Sequence, residues 1–159
     1  MLFLACNFQA NECTEVYLIR HAEKDRSDSL NKNPHLNQDG EKRSLLWNLY
    51  FENKKIDAIY STNYNRTIET ILPISISKGI KPIIYSASGV SYDSFLKKQK
   101  GKTVLVVGHS NTIPGFVNGL IKEDYYGQIN DTVNSNLYIV KKCPEKINHN
   151  VIQIHSLQQ

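Results

Sequence analysis

The chain has 159 residues, of which 40% are hydrophobic and 21% charged, and its formal net charge at neutral pH is +4. This composition excludes a disordered, low-complexity or collagen-like protein, and the length suits one domain with a substantial core. No run approaches the roughly twenty apolar residues of a membrane span, and the modest positive charge suits an anionic substrate. We predict one domain over 14–159, preceded by a separate segment over 1–13.

The chain begins with the apolar sequence MLFLAC. It resembles the end of a bacterial lipoprotein signal, whose cysteine carries lipid, although the charged start and most of the apolar core of such a signal are missing. Two interpretations stay open: a signal remnant with a lipid anchor at Cys6 in the bacterial cell envelope, and the apolar terminus of a cytoplasmic protein. If Cys6 carries lipid, Cys13 and Cys143 remain as an even pair that could form a disulfide in an oxidising compartment. The cysteines lack the spacing of a metal site, and none is expected.

Short runs rich in β-branched and aromatic residues, bounded by polar or turn residues, predict the strands. They are 15–20, 56–60, 82–85, 103–108, 136–141 and a weaker edge strand over 151–155. The runs over 15–20 and 103–108 are almost continuously apolar, as expected of central strands that are covered on both faces.

Helical patterns alternate with these strands. Asn37 is suited to cap a helix over 38–53, and a second helix is predicted over 64–78, with Pro73 expected to kink or stop it and Gly79 at its end. The first helix has Leu45, Leu46, Leu49 and Tyr50 as its expected apolar stripe, and the second has Ile68, Ile71, Leu72, Ile74 and Ile76 available for the core. Shorter helices are predicted over 91–100 and 111–121, the latter with Pro114 in its first turn.

The alternation of strands and helices predicts an α/β fold, a three-layer sandwich with a mostly parallel central sheet and helices on both faces. Ligands of such sheets bind beyond the carboxyl ends of the strands. Arg20 and His21 lie at the end of the first strand, Arg66 follows the second, and His109 follows the strand over 103–108. We therefore expect these four side chains at one edge of the sheet.

These residue types suit phosphoryl chemistry. A neutral imidazole is a competent nucleophile toward phosphorus when its other nitrogen is held by a hydrogen bond, which makes His21 the candidate nucleophile. The planar guanidinium groups of Arg20 and Arg66 match phosphoryl oxygens, and a second imidazole, that of His109, would stabilise the developing charge. Taken singly, each of these residues is more often structural or a surface residue, so the prediction depends on their joint placement.

Three sequence blocks carry a family resemblance. They are VYLIRHAEK over 16–24, YSTNYNRTIET over 60–70 and VVGHSNT over 106–112. Together they resemble the signature blocks of the histidine phosphatase superfamily, which has the phosphoglycerate mutase-like fold. The resemblance covers about 14–141. It implies a metal-independent phosphoric monoester hydrolase without a cofactor, in which His21 is phosphorylated, Arg20 and Arg66 bind phosphate and His109 completes the pocket.

The resemblance also raises the question of a proton donor, because the family commonly uses an acidic residue beyond the second arginine. Asp93 is the candidate, with Glu23 a poorer one, and a carboxyl donor must be kept protonated by burial or by its neighbours. The alternative for Asp93 is a residue at a helix start that interacts with the macrodipole. Asn111 is a further candidate ligand of the phosphate, and it could equally cap the next helix.

The size of the chain bears on the substrate. The short span between Arg66 and His109 leaves little room for a large capping insertion, and Ala22 stands where mutases of the family have glycine. Both features favour a small, open phosphatase over a mutase. In size the chain resembles small phosphohistidine phosphatases, and the expected substrate is a phosphorylated small molecule or a phosphoprotein. The basic stretch over 97–102 is typical of a solvated helix end, so no nucleic-acid partner is expected. The sequence does not indicate an oligomeric state.

Two other functions compete with this interpretation. The sequence GHSNT nearly matches the GxSxG nucleophile elbow, which would make Ser110 the nucleophile of a serine hydrolase. The other members of its triad would be Asp124 or Asp131 and His149 or His155. Against this interpretation, Thr112 replaces the last glycine and the other blocks stay unexplained. The second alternative is a non-catalytic module that uses the same pocket to recognise phosphate.

Overall fold

The computed structural model describes residues 13–156, so Cys6 and the rest of the segment over 1–12 lie outside the described residues. The elements in chain order are β1 (Thr14–Arg20), α1 (Gln38–Phe51), β2 (Ala58–Ser61), α2 (Asn65–Lys78), β3 (Ile83–Ile84), α3 (Tyr92–Lys98), β4 (Thr103–Gly108), α4 (Ile113–Ile121), β5 (Asn136–Lys142) and β6 (Ile147–Gln153). They form one sheet in the order β3-β2-β4-β1-β5-β6. The pairs that involve β5 are antiparallel, and the other pairs are parallel. The predicted α/β fold with a mostly parallel sheet is confirmed.

The sheet lies between two helical layers because alternate residues of its central strands point to opposite faces. Val16 of β1 lies in a core cluster with Phe116 of α4, against which aromatic residues of α3 pack. Ile19 of β1 lies in a second cluster on the other face, with Trp47 of α1 and Ile74 of α2. Strands buried on both faces need apolar residues at every position, which explains the continuous runs seen in the sequence.

The buried face of α1 differs from the predicted stripe. Leu45 and Leu49 are 57% and 50% exposed, whereas Trp47 and Phe51 are fully buried. The reason lies at Gly40, where a Cβ atom would stand 2.1 Å from the carbonyl oxygen of Glu23. Because only glycine permits this approach, α1 turns its Gly40 face inward, and the large aromatic side chains on that face fill the core. The predicted cap is confirmed, since the side chain of Asn37 accepts a hydrogen bond from the backbone of Gly40.

The buried face of α2 also differs from the prediction in part. Ile71 and Ile74 are buried as expected, but Leu72 and Ile76 are 47% and 71% exposed. Thr70 occupies the inner face instead, because its hydroxyl accepts a hydrogen bond from the backbone N–H of Ala22. The early stop considered for Pro73 is wrong, since the helix continues to Lys78 and ends at Gly79, whose φ of 65° is readily adopted by glycine.

The two ends of the sheet carry different features. Because β1 and β4 are parallel neighbours with Arg20 opposite Gly108, the residues that follow, His21 and His109, emerge at the same edge. At the other end Cys13 and Cys143 form a disulfide, which links the start of β1 to the end of β5. Within residues 13–156, no helix combines the length and the apolar character needed to cross a membrane.

Candidate active site

The ring of His21 is held in one tautomer. Its Nδ1 lies 2.7 Å from the carbonyl oxygen of Ala22 and must donate to it, because a carbonyl only accepts. The lone pair therefore resides on Nε2. The pKa of His21 is lowered to about 3, chiefly by burial and also by Arg20, Arg66 and His109, against the opposing effect of the Ala22 hydrogen bond. The imidazole is thus neutral at physiological pH, as a nucleophile must be.

His109 lies beside His21, with their ring centroids 5.4 Å apart. Its Nδ1 accepts a hydrogen bond from Nη2 of Arg66 at 3.3 Å, and its Nε2 lies 3.0 Å from the hydroxyl of Thr62. The Thr62 hydroxyl in turn donates to Thr67, which leaves it free to accept from Nε2. Burial, together with the charges of Arg66, Arg20 and Lys24, lowers the pKa of His109 to about 4. Both histidines are therefore neutral near pH 7, next to two guanidinium groups.

Arg20 is fixed by the segment that precedes β5. Its Nη1 donates to three backbone carbonyls, those of Asn130, Asp131 and Val133, each at 3.0 Å. Its Nη2 donates to the Asp131 carboxylate at 2.6 Å, and Arg26 binds the other oxygen of that carboxylate at 2.8 Å. The guanidinium of Arg20 is consequently rigid and only 2% exposed.

Unsatisfied donors at this edge point to an anion. Among residues 13–156, Nε of Arg20 and Nε of Arg66 are buried without a hydrogen-bond partner. A buried donor without an acceptor costs about 1–3 kcal/mol, and a phosphoryl oxygen is an acceptor that guanidinium groups bind well. Arg66 also stacks on Tyr64, with its central carbon 4.5 Å from the ring centroid, which orients it toward His109.

A cavity of about 840 Å³ opens beside these groups. Arg66, His109 and Asn111 line it, together with Tyr64 and residues of the segment over 84–88. Asn111 does not cap α4, because that position belongs to Thr112, so its amide remains at the cavity wall. Gly108 permits the tight turn into this wall, since a Cβ there would lie 2.9 Å from the Thr112 hydroxyl and 3.0 Å from the Tyr85 hydroxyl.

The structure does not bring the acidic candidates to this cluster. Asp93 lies in the first turn of α3, where its carboxylate is exposed and 2.9 Å from Nζ of Lys122. Glu23 binds Nε of Arg43 through both of its oxygens, at 2.7 and 2.9 Å. Among the described residues that line the 840 Å³ cavity, none is an aspartate or a glutamate.

Ser110 also lacks the surroundings of a serine hydrolase. Its backbone carbonyl accepts from Ile129, and within residues 13–156 no histidine is hydrogen-bonded to its hydroxyl. His149 is engaged with the Tyr126 hydroxyl, and His155 with the Gln153 side chain. The residues of a triad are thus not assembled around Ser110.

Sequence reasoning missed the segment over 130–134. Besides binding Arg20, it contributes Asn134, whose side-chain amide donates to the backbone carbonyl of His21 at 2.8 Å. The signal for this role is weak: the mostly polar sequence NDTVN precedes a predicted strand, but only the pairing of β5 beside β1 brings it to His21. Thr62 was also missed as a partner of His109.

No group of three or more His, Cys, Asp or Glu side chains within residues 13–156 is arranged to hold a metal ion. The groups that the structure brings together at this edge are the imidazoles of His21 and His109 and the guanidinium groups of Arg20 and Arg66, and guanidinium groups bind phosphoryl oxygens well.

The comparison with protein families agrees with this class of site. The model of the histidine phosphatase superfamily (branch 1) matches residues 16–87, which contain the first two blocks, and confirms the predicted resemblance to this superfamily. No curated protein gives a significant match to the chain.

Several solved structures have the same fold. A protein of Agrobacterium tumefaciens assigned as the phosphohistidine phosphatase SixA is 18% identical, with a TM-score of 0.63 over 87% of this chain and 97% of that one. A protein histidine phosphatase SixA complexed with tungstate is 14% identical, with a TM-score of 0.71 over 87% and 96%. A mycobacterial glucosyl-3-phosphoglycerate phosphatase is 11% identical, with a TM-score of 0.70 over 91% and 100%. At these identities the similarity establishes the fold, and together with the family match it supports a phosphatase.

Proposed function

We propose that the chain is a phosphatase that hydrolyses phosphomonoesters or phosphohistidine through a covalent phosphohistidine at His21. The tautomer of His21 carries the proposal. Its Nδ1 proton is engaged by the Ala22 carbonyl, and a pKa of about 3 keeps the ring neutral, so that Nε2 offers a lone pair at physiological pH. The site residues in this proposal are His21 and His109, with Arg20, Arg66 and Asn111 as ligands of the phosphate.

The reaction proceeds in two displacements. Nε2 of His21 attacks phosphorus, and an N–P bond forms while the bond to the leaving group breaks with its electron pair. Water then attacks the same phosphorus, the N–P bond breaks, and its electron pair returns to Nε2. The water oxygen stays on the phosphate, and its protons remain there or pass to solvent. Arg20 and Arg66 balance the charge of the phosphoryl oxygens in both steps, and the Asn111 amide supplies a further donor.

The lining of the cavity favours some leaving groups over others. An alkoxide needs a proton from an acid as it departs, and the cavity residues described above include no carboxyl group. The imidazole of phosphohistidine can take a proton from solvent on its free nitrogen near neutral pH, because imidazole titrates there. This difference supports phosphohistidine over alkyl phosphates, as does the similarity in fold to structures described as SixA phosphohistidine phosphatases.

A substrate panel tests the proposal. Phosphohistidine, an aryl phosphate and an alkyl phosphate are offered to the wild type, to His21→Ala and to the control His155→Ala, whose histidine is exposed and does not line the cavity. We expect the wild type and the control to hydrolyse phosphohistidine fastest, and His21→Ala to be slower by at least roughly a thousandfold. Equal rates for His21→Ala and the wild type would refute the proposal.

A phosphate-recognition module is the second candidate, and the burial of His21 favours it. Only 4% of this residue is exposed, although a nucleophile must reach its substrate. Under this alternative, vanadate binds at the arginines while no member of the panel is hydrolysed. Turnover that depends on His21 excludes it.

As part of this proposal, the protein is exported and carries a lipid anchor at Cys6. The disulfide between Cys13 and Cys143 supports an exported protein, because such bonds persist in oxidising compartments. Mass spectrometry of the protein from its native membrane fraction tests the anchor, since a lipidated Cys6 would form the amino terminus.

A further inference from the structure

Lysine side chains concentrate at the end of the sheet opposite to the cavity. The surface called here the lysine end consists of Lys97, Lys98, Lys102, Lys142 and Lys146. These residues surround the start of β1, because Lys142 pairs with Thr14 and the carbonyl of Lys102 accepts from the backbone of Glu15. Lys55 and Lys81, on the loops that enter β2 and β3, extend the same basic surface.

Among residues 13–156, the acidic side chains at this end are fewer than the lysines. Asp57 is paired with Lys55 at 2.9 Å, and Glu15 accepts a hydrogen bond from the Tyr17 hydroxyl. Glu52 and Glu145 are the other described carboxylates on these loops. The described part of the lysine end therefore carries a net positive charge, which is separate from that of Arg20 and Arg66 at the opposite end of the sheet.

The amino-terminal chain joins the domain at the lysine end. Cys13 immediately precedes β1, and its disulfide to Cys143 fixes this junction to the turn between β5 and β6. The apolar sequence MLFLAC lies just upstream, and the chain from Cys6 to Cys13 spans at most roughly 25 Å when fully extended. An apolar or lipidated segment there would hold this face of the domain close to a bilayer.

We propose that the lysine end docks on an anionic phospholipid surface, with the cavity facing away from it. Lysines near an anionic bilayer are attracted within a Debye length, and a basic patch complements a short apolar or lipid anchor that binds only marginally alone. A cavity of about 270 Å³ between Lys97 and Lys142, beside Pro144, offers these headgroups a recess. The seven residues of β1 separate this surface from His21 by roughly 20 Å, so a docked protein keeps its cavity open to solvent.

Vesicle sedimentation of the full chain tests the proposal without reference to catalysis. The vesicles contain phosphatidylglycerol and phosphatidylethanolamine in one set and phosphatidylcholine alone in the other, at low and high salt. The variant Lys98→Gln, Lys102→Gln, Lys146→Gln is compared with the control Lys32→Gln, Lys42→Gln, Lys122→Gln, which removes the same charge elsewhere. We expect the wild type and the control to bind anionic vesicles at low salt, and the lysine-end variant to bind at least roughly tenfold more weakly.

Acetylation of lysines on bound vesicles provides a second measurement of orientation. Docking through the lysine end protects Lys98 and Lys102, but not Lys32, from the reagent. The proposal is overturned by failure to bind anionic vesicles, by equal binding to phosphatidylcholine, or by equal loss in both triple variants. It is also overturned if duplex DNA at the same phosphate concentration displaces the protein from the vesicles, because the surface then prefers a nucleic acid.

Discussion

Arg66 donates a hydrogen bond from Nη2 to Nδ1 of His109 over 3.3 Å. A guanidinium group has no acceptor, so Nδ1 carries the lone pair, and the ring proton resides on Nε2 beside Thr62. A phosphoryl group held by Arg66 would compete for the same guanidinium donors. Its negative charge would also favour a second proton on His109. Arg66 and His109 therefore form a pair whose hydrogen bonding and protonation should change when an anion binds.

The first prediction concerns the pKa of His109. Burial and the nearby cations lower it to about 4 in the free protein, and a bound oxyanion should raise it because opposite charge favours the imidazolium form. Nitrogen NMR of the histidine rings, recorded with and without saturating vanadate, measures the change. The exposed His155 serves as the internal control, and a His109 titration that does not move on vanadate binding contradicts the prediction.

The second prediction concerns the dependence of stability on pH. The folded-state pKa of His21, about 3, lies below its ordinary value of 6.5, so between these values the unfolded chain binds more protons than the folded one. The free energy of unfolding should therefore fall as the pH falls below 6.5, with about 1.4 kcal/mol per pH unit from this buried ring. Urea unfolding of the wild type and of His21→Gln between pH 4.5 and pH 7.5 measures this slope. We expect a shallower slope for the variant, and identical slopes would show that His21 is not buried as a neutral ring.

The third prediction concerns Asp93, where sequence and structure point in different directions. Alkyl phosphates require a proton donor more than phosphohistidine or aryl phosphates do. If Asp93 were that donor, Asp93→Asn would lose activity selectively on substrates with poor leaving groups. Because the Asp93 carboxylate is paired with Lys122 outside the cavity, we expect the same activity ratio as in the wild type. Steady-state rates on alkyl and aryl phosphates measure the ratio. A selective loss of activity on alkyl phosphates would contradict this prediction and show that Asp93 is the proton donor.

Much of the fold was accessible from the sequence because its strongest signals are local. The apolar runs of β1 and β4, the Asn37 cap and the Gly79 terminus each depend on a few neighbouring residues. The sequence did not predict correctly which faces of α1 and α2 point inward. They depend on the close approach of Gly40 to Glu23 and on the bond from Ala22 to Thr70, which join distant parts of the chain.

The residues of the candidate site also fall into those that the sequence predicts and those that only the tertiary structure brings to the site. Arg20, His21, Arg66 and His109 were placed together because each lies at or after the carboxyl end of a predicted strand. Asp131 and Asn134 reach the site through β5, whose antiparallel pairing with β1 cannot be deduced from composition or periodicity. Asp93 lies at a helix start, which was the alternative that the sequence left open.

The fourth prediction concerns the disulfide between Cys13 and Cys143. The bond closes a loop of sequence separation 130, and its removal should lower the free energy of unfolding by roughly 2–5 kcal/mol. Denaturant unfolding of the wild type with and without reductant measures the loss. The free energy of unfolding of Cys143→Ser should be the same with and without reductant. Because the bond lies at the end opposite to the cavity, vanadate affinity should not change. Thiol titration of the unfolded, non-reduced protein that labels Cys13 or Cys143 would contradict the pairing.

The most direct test of a phosphohistidine mechanism is to trap the intermediate. The wild type, His21→Ala and His109→Ala are mixed with phosphohistidine labelled on phosphorus, quenched in alkali within the first turnover and digested for mass spectrometry. We expect label on the peptide that contains His21, stable in alkali and lost in acid, in the wild type and none in His21→Ala. Hydrolysis that proceeds at the wild-type rate without label on His21 would contradict the account.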